Sequence, residues 1–411
     1  MRRIERYGEL KGKTVVLAFS GGLDTSFCVT YLQEVYGARV MTVTVDTGGF
    51  DAAELARIER RSGELGAAAG HRTVDGTEAL YREFLSPLIR GNVLRGGVYP
   101  LSVSAERVLQ AREVARVALD AGAAAVAHGS TGAGNDQIRF DTAFAVVAPG
   151  LACLTPIRDL GAGREDETRY LEARGVAVEK KTTAYSVNEG LWGTTIGGKE
   201  THGSWEEVPD HLYPGVTPSQ APAEGRVLTL SFERGLPSAI DSEPADGVTL
   251  IRRLNAIGWE HGIGRGVHVG DTILGIKGRV AFSAPGPHVL IRAHRELEKL
   301  VLTGWQAFWK EQISAFYGQL LHAGQYFDPV MRDIEALLVS SQERVSGNVR
   351  VRLCRGALET LGARSPHSMM DARVAVYGEG MKLWTGEEAR GFAKIYGIPS
   401  VLWARAGKED E

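Results

Sequence analysis

The run Val15-Val16-Leu17-Ala18-Phe19-Ser20-Gly21-Gly22-Leu23-Asp24-Thr25-Ser26 constrains this chain most. An uninterrupted apolar segment reads as a strand buried on both faces. Ser20-Gly21-Gly22 breaks it, and helical spacing then begins in Phe27, Tyr31, Leu32 and Val35 and stops at Gly37. Strand, glycine turn and helix start together present unpaired backbone N–H groups to an anion. Two glycines let backbone approach that anion with no Cβ in the way. Ser20, Thr25 and Ser26 add hydroxyl donors, and Asp24 is placed to hold a magnesium ion or a substrate ammonium. A plainer reading is a strand-to-helix turn with a serine cap and an acid in the first helical turn. The length and order of SGGLDTS favour the anion site. The run lacks the Gly-Lys-Thr ending of the common phosphate loop and is not GxGxxG.

Strand signals at residues 14–19 and 40–45 alternate with helical ones from about Asp51, over 77–89 and over 105–119. Gly122 closes the last helix, and 123–127 reads as another short buried strand. That alternation predicts an α/β fold with an open parallel sheet and helices on both faces. Beyond Gly175 the pattern changes. Residues 182–222, rich in Gly, Pro and Thr, are expected to be an irregular, ligand-facing junction. A strand is expected at 226–232, a helix near 247–261 and strands near 267–282. One long helix over 288–321 carries Leu297, Leu300, Val301, Trp305, Phe308 and Ile313, spaced to pack on a second domain or subunit. A further helix leads to Glu343. Val349, Val351 and Leu353 alternate with Arg350 and Arg352 in a hairpin strand turning at Arg355-Gly356. Residues 385–407 read as an apolar tail in need of a partner surface.

The 411 residues suffice for two or more domains. A net charge of -3 gives no strong pull toward nucleic acid or an anionic membrane. Cys28, Cys153 and Cys354 stand too far apart in sequence for a CxxC metal site or a disulfide framework. Residues 1–13 are charged and lack the apolar core of a signal peptide, and no run reaches membrane-span length. A cytoplasmic, soluble protein is the expectation.

A second loop follows the 123–127 strand: His128-Gly129-Ser130-Thr131-Gly132-Ala133-Gly134-Asn135-Asp136-Gln137-Ile138-Arg139-Phe140. It gathers three glycines, hydroxyls, an amide, a carboxylate and a guanidinium. Such a loop can hold phosphate on backbone N–H groups, a carboxylate on Arg139 and an ammonium on Asp136. Alternatively it caps the next helix, with Asp136 and Arg139 as an i,i+3 pair. Its position on the same sheet edge as SGGLDTS favours the binding reading.

SGGLDTS resembles the pyrophosphate loop of ATP pyrophosphatases. With the second loop, the chain resembles the argininosuccinate synthase family over nearly its whole length. The likeness rests on AFSGGLDTS at 18–26, Tyr99 and Ser104 in VYPLSVSAERV, and HGSTGAGNDQIRF at 128–140. AYSVNEGLWG at 184–193, HGIGR at 261–265, GIKGR at 275–279, SQERV at 341–345 and the SP pair at 365–366 add to it. The resemblance implies an ATP-binding α/β domain of the adenine nucleotide alpha hydrolase-like type at 1–175. An α+β synthetase and multimerisation domain would span 176–384, and an oligomerisation tail 385–411. It implies a homotetramer using ATP and Mg2+, with no nucleic acid or membrane partner, in arginine biosynthesis.

The implied chemistry is adenylation of the ureido oxygen of citrulline with loss of pyrophosphate, then displacement of AMP by the amine of aspartate. By that resemblance Ala18, Phe19, Ser20, Gly21, Gly22, Asp24, Thr25, Ser26 and Gly129 bind ATP. Thr131, Asn135 and Asp136 bind aspartate. Tyr99, Ser104, Asn135, Arg139, Ser186 and Thr195 surround the acceptor. Asp24, Asp136 and Arg139 are the catalytic candidates, and no protein metal-ligand set is implied.

Departures from the family pattern gather around the acceptor. Gly270, with Asp271 beside it, stands where the family has the glutamate that pairs with the citrulline ammonium, and Phe282 stands for a tyrosine. Ala133 replaces a lysine, Gly49 a glutamine and Gly197 a glutamate. Either Asp271 takes over the ammonium and citrulline stays, or the acceptor is another ureido or carbonyl compound in specialised metabolism. Among rival classes, a transfer-RNA thiolating enzyme wants reactive cysteines and a basic surface. An amidotransferase wants a glutaminase domain. A non-catalytic nucleotide-binding or assembly protein is argued against by the intact Ser20–Ser26 and Asn135-Asp136 together.

Overall fold

The computed structural model describes residues 7–178 and 185–406. The chain begins its first layer with β1 (Thr14–Ala18), α1 (Leu23–Tyr36), β2 (Arg39–Asp46), α2 (Ala52–Glu64) and β3 (His71–Asp75). β3 carried no strand signal, because its side chains are mostly exposed or half-buried and show no apolar run. α3 (Thr77–Leu80) runs through a π-helical turn, Tyr81–Leu85, into α4 (Ser86–Arg90), so the helix expected over 77–89 carries one widened turn. α5 (Ser102–Asp120), β4 (Ala125–Ala127), α6 (Asp136–Val147), β5 (Ala152–Leu154), α7 (Pro156–Leu160) and α8 (Arg164–Glu172) complete the layer.

The five strands pair in parallel in the order β3-β2-β1-β4-β5. Alternation along β1 decides which side chain meets which helix. Val15 and Leu17 pack with Phe27, Val29 and Leu32 of α1. Val16 faces the opposite way, into Ala111, Val114 and Ala115 of α5 and Phe140 and Phe144 of α6. β2 lies on one side of β1 and β4 on the other, so the strand order reverses between β1 and β4. The loops leaving these two strands therefore open a crevice at their carboxyl ends, where open α/β sheets bind ligands.

The second half starts with a hairpin, β6 (Tyr185–Gly190) and β7 (Gly193–Gly198). This corrects the irregular reading of 182–222 for residues 185–198; residues 182–184 lie outside the described residues. Glycines at both strand ends and a turn at Leu191-Trp192 hid the alternation. From 199 to 222 the chain does run in short turns. β8 (Arg226–Glu233), β9 (Leu236–Ile240), β10 (Glu243–Pro244), α9 (Gly247–Glu260), β11 (Arg265–Asp271) and β12 (Lys277–Ser283) follow.

Next come α10 (Pro285–Val301) and α11 (Gly304–His322), two helices where one was expected. Leu302 and Thr303 are extended, and the Thr303 side chain accepts from the Gln306 N–H. Thr303-x-x-Gln306 is a capping box inside an apolar pattern, and it restarts the helix. α12 (Pro329–Ser341), β13 (Gly347–Cys354) and β14 (Ala357–Arg364) close this part. The antiparallel sheets run β10-β9-β8-β13-β14 and β11-β12-β7-β6. Val349, Val351 and Leu353 are buried between outward-facing arginines, as their alternation requires.

Residues up to Ser365 form one compact unit, and those from Pro366 a second. The second holds β15 (Ala375–Val376), β16 (Gly380–Met381), α13 (Gly386–Tyr396) and α14 (Ile398–Arg405). Phe392 and Tyr396 stack on one another at 5.2 Å between ring centroids, and both are exposed. No helix among the described residues is long and apolar enough to cross a membrane.

Candidate active site

Gly21, at φ +72°, turns the chain out of β1, and a Cβ there would also press to 3.3 Å from Ile58. Gly22 caps α1 in an extended conformation with no side-chain bond, so no serine caps this helix. Ser20 and Thr25 face each other across the turn, Oγ to Oγ1 at 3.3 Å, and Thr25 Oγ1 donates to the Gly22 carbonyl at 3.4 Å. These long bonds leave both hydroxyls able to turn to a ligand. Ser26 has gone the other way: it is fully buried, and its Oγ accepts from Arg61 Nε at 3.3 Å. Phe19 is buried, with its carbonyl accepting from Thr44 Oγ1.

Asp24, in the first turn of α1, bonds the carboxyl of Glu167 on α8. Burial and then the Asp24 charge push Glu167 up to about 8, and its Oε2 is buried without a hydrogen-bond partner. Two carboxyls side by side, one in the first turn of α1 and one on α8, are a donor set suited to a hard divalent cation.

The loop after β4 meets this turn. A Cβ on Gly129 would lie 3.4 Å from the Asp24 backbone and from Cys28 Sγ, so the glycine permits the close approach. Asp136 opens α6 and takes two guanidiniums, Arg107 Nε at 3.1 Å and Arg139 Nη1 at 2.8 Å. Burial would raise its pKa, yet Arg107 and Arg139 hold it below the usual carboxylate range. Arg139, buried, also donates to Ser104 Oγ at 2.9 Å and to the His322 carbonyl at 2.9 Å. Arg107 donates to Asn188 Oδ1 on β6 at 2.5 Å, which ties the antiparallel hairpin to the crevice. Asn135 Oδ1 accepts from the Ile273 N–H at 2.8 Å, tying in the β11–β12 turn.

Tyr99 is buried and its ring stacks on His268 at 5.8 Å. Phe282, fully buried, tilts against Tyr99 at 5.5 Å. Thr195 on β7 pairs in register with Phe282. Ser186 lies two residues before Asn188 on β6 and so shares its face.

Residues 14–177 match the family model described as "Arginosuccinate synthase N-terminal HUP domain", and 185–403 match "Arginosuccinate synthase C-terminal domain". The chain is 41% identical over 401 residues to argininosuccinate synthase of Xanthomonas axonopodis pv. citri, covering 96% of each chain. It is 36% identical over 391 residues to argininosuccinate synthase of Methanocaldococcus jannaschii, covering 95% of this chain and 98% of that one. The chain belongs to the argininosuccinate synthase family. It is an ATP-dependent ligase of that class.

Within this argininosuccinate synthase fold the expected residues fall in three groups. Ser20, Gly21, Gly22, Asp24 and Thr25 line one turn against Gly129 of the loop after β4, with Ala18 ending β1 and Phe19 just beyond it. Asn135, Asp136, Arg139 and Ser104 are joined by side chains that bond one another or neighbouring loops, while Thr131 is exposed on the loop before them. Tyr99, Thr195 and Ser186 reach the same side through the hairpin and Phe282. Arg95, Arg107, Asn188, His268, His322 and Glu167 were not singled out from the sequence. Arg107 had a signal, since it follows Ser104 by three residues on one helix face. The others come from segments far apart in the chain.

Proposed function

We propose that this family member adenylates the ureido oxygen of a citrulline-type acceptor and then joins aspartate to the activated carbon. Convergence of the two glycine loops, with Gly129 against Asp24 and the Asp136–Arg139–Ser104 network beside them, carries the reading. The ureido oxygen attacks the α-phosphorus of ATP, the bond to the β-phosphate oxygen breaks, and pyrophosphate leaves. Aspartate gives up its ammonium proton to solvent, its amine nitrogen attacks the ureido carbon, the C–O bond breaks, AMP departs with that oxygen, and the nitrogen releases a second proton to solvent. A urea carbon is a poor electrophile until its oxygen bears AMP, so the protein's task is positioning and charge stabilisation.

The Ser20–Thr25 turn offers backbone N–H and hydroxyl groups to the phosphates. Asp136 orients the aspartate ammonium; a carboxylate held low by two guanidiniums is a weak base and suits orientation better than proton abstraction. Arg139 faces the acceptor with its guanidinium. Asp24 and Glu167 are the residues that would hold Mg2+, which neutralises pyrophosphate charge when bound. The exposed aromatics of α11 and of residues 385–411 support a homotetramer in which those surfaces are covered.

The test uses an acceptor carrying 18O in its ureido group, with ATP and aspartate. Label in the phosphoryl group of AMP, formed only when aspartate and acceptor are both present, is the expected result. Unlabelled AMP, or ADP in its place, overturns the reading.

A further inference from the structure

Three guanidiniums, Arg95, Arg107 and Arg139, gather on the acceptor side of the crevice. Among the described residues, Asp136 is the one carboxylate that bonds more than one of them, and it is shared by Arg107 and Arg139. Arg95 makes no ion pair among the described residues. Its Nη2 donates to the Asp271 carbonyl at 2.6 Å, and its Nη1 lies 2.8 and 3.0 Å from the ring nitrogens of His322. That ring is neutral, because burial and then Arg139 and Arg95 push it down to about 3. The neutral ring reaches the Asp271 carbonyl through Nε2 at 3.1 Å, and its Nδ1 lies 3.2 Å from Arg139 Nη2. The Asp271 carboxylate, far from taking over an ammonium, is exposed and accepts from Lys277 at 2.6 Å. Glu106, the other acid beside Arg107, is pushed up to about 8 by burial and carries a proton at neutral pH.

His268 fills the space in front of Gly270: a Cβ there would fall 2.6 Å from its Nε2. That nitrogen is buried and has no hydrogen-bond partner. The half-buried guanidinium of Arg95 and this imidazole therefore sit side by side, and the carboxylate that acts on Arg95, that of Asp271, is drawn out to Lys277. An ammonium placed here would meet the like charge of Arg95, with the Asp271 carboxylate already paired with Lys277. A carboxylate would meet a planar fork and a ring nitrogen able to donate.

We propose that the acceptor is a ureido acid whose end remote from the ureido group is a carboxylate held by Arg95 and His268, with no ammonium beside it. This rests on the ligase reading above and narrows its acceptor to ω-ureido carboxylic acids. The test compares 5-ureidopentanoate, which is citrulline without its amino group, with citrulline itself, reading aspartate-dependent AMP release. At least about tenfold higher kcat/KM for 5-ureidopentanoate is expected. Arg95→Gln is expected to raise the KM for that acid about tenfold or more while the KM values for ATP and aspartate stay within about twofold. The double variant H268A/G270E is expected to reverse the preference toward citrulline. Citrulline used as well as or better than the desamino acid, or an unchanged acceptor KM in Arg95→Gln, overturns the inference and leaves the ligase standing. Aspartate-dependent AMP from neither compound overturns both.

Discussion

Glu106 sits fully buried between Arg107 and the β6–β7 turn, close enough that a Cβ on Gly190 would collide with its Oε1. Burial raises its pKa to about 8, against partial relief from Arg107 and further opposition from Asp136. The unfolded chain ionises this group near the ordinary glutamate value, and the folded chain does so only near pH 8. Folding therefore takes up a proton across that window, and stability falls as pH rises from about 4.5 to 8. Glu106→Gln is expected to remove that slope and to raise stability at pH 8 by up to a few kcal/mol, as read by urea unfolding at pH 5 and 8. Asp136→Asn has the opposite character. It leaves Arg107 and buried Arg139 without a counter-charge, so a loss of about 3 kcal/mol and a steep rise in the KM for aspartate are expected from denaturation and steady-state kinetics. Asp136 and Arg139 were legible in the sequence because they follow directly on one glycine-rich loop, in the first turn of α6. Arg95, His268 and His322 were not, because they come from a loop, a strand and a helix end far apart in the chain and meet only after folding.

Helix boundaries divide along the same line. α1 ends where Gly37 sits at φ +61°, and α2 begins at Asp51, whose side chain accepts from the Glu54 N–H. Both signals are local, and both were readable. The break between α10 and α11 is local too, but Thr303-x-x-Gln306 lies inside a continuing apolar pattern that masks it. Thr303→Ala is expected to cost about 1 kcal/mol in chemical denaturation, the usual loss for a helix cap. The hairpin of β6 and β7 was missed for a different reason. Its glycine-rich strands, β6 half-exposed and β7 mostly buried, hold register through β12 and through the Arg107–Asn188 bond rather than through their own alternation. Gly21→Val is expected to destabilise the chain by about 1–3 kcal/mol, because it forces a β-branched residue to positive φ against Ile58.

Across the whole molecule, large aromatic surface is left on the outside. Trp305, Phe308, Trp309 and Phe316 on α11 are exposed, as are Phe392, Tyr396 and Trp403 in the C-terminal unit. Apolar surface of this kind marks association sites. Truncation after Trp384 is expected to lower the mass of the assembly in light scattering, from the proposed tetramer to a smaller species, with the fold up to Ser365 retained by circular dichroism. An unchanged mass would remove residues 385–411 from the assembly.

Periodicity and turn chemistry act over neighbouring residues, so the parallel sheet and its two glycine loops could be read from the chain alone, and the likeness of its motifs to a known family supplied the ligase class. Charge balance in the crevice is a sum over side chains from loops, strands and helices hundreds of residues apart. Whether Asp271 faced a substrate or Lys277, and whether the space at Gly270 was open or filled by His268, depended on where the backbone brought those groups. Long-range packing made that choice, and with it the sign of the charge an acceptor must carry.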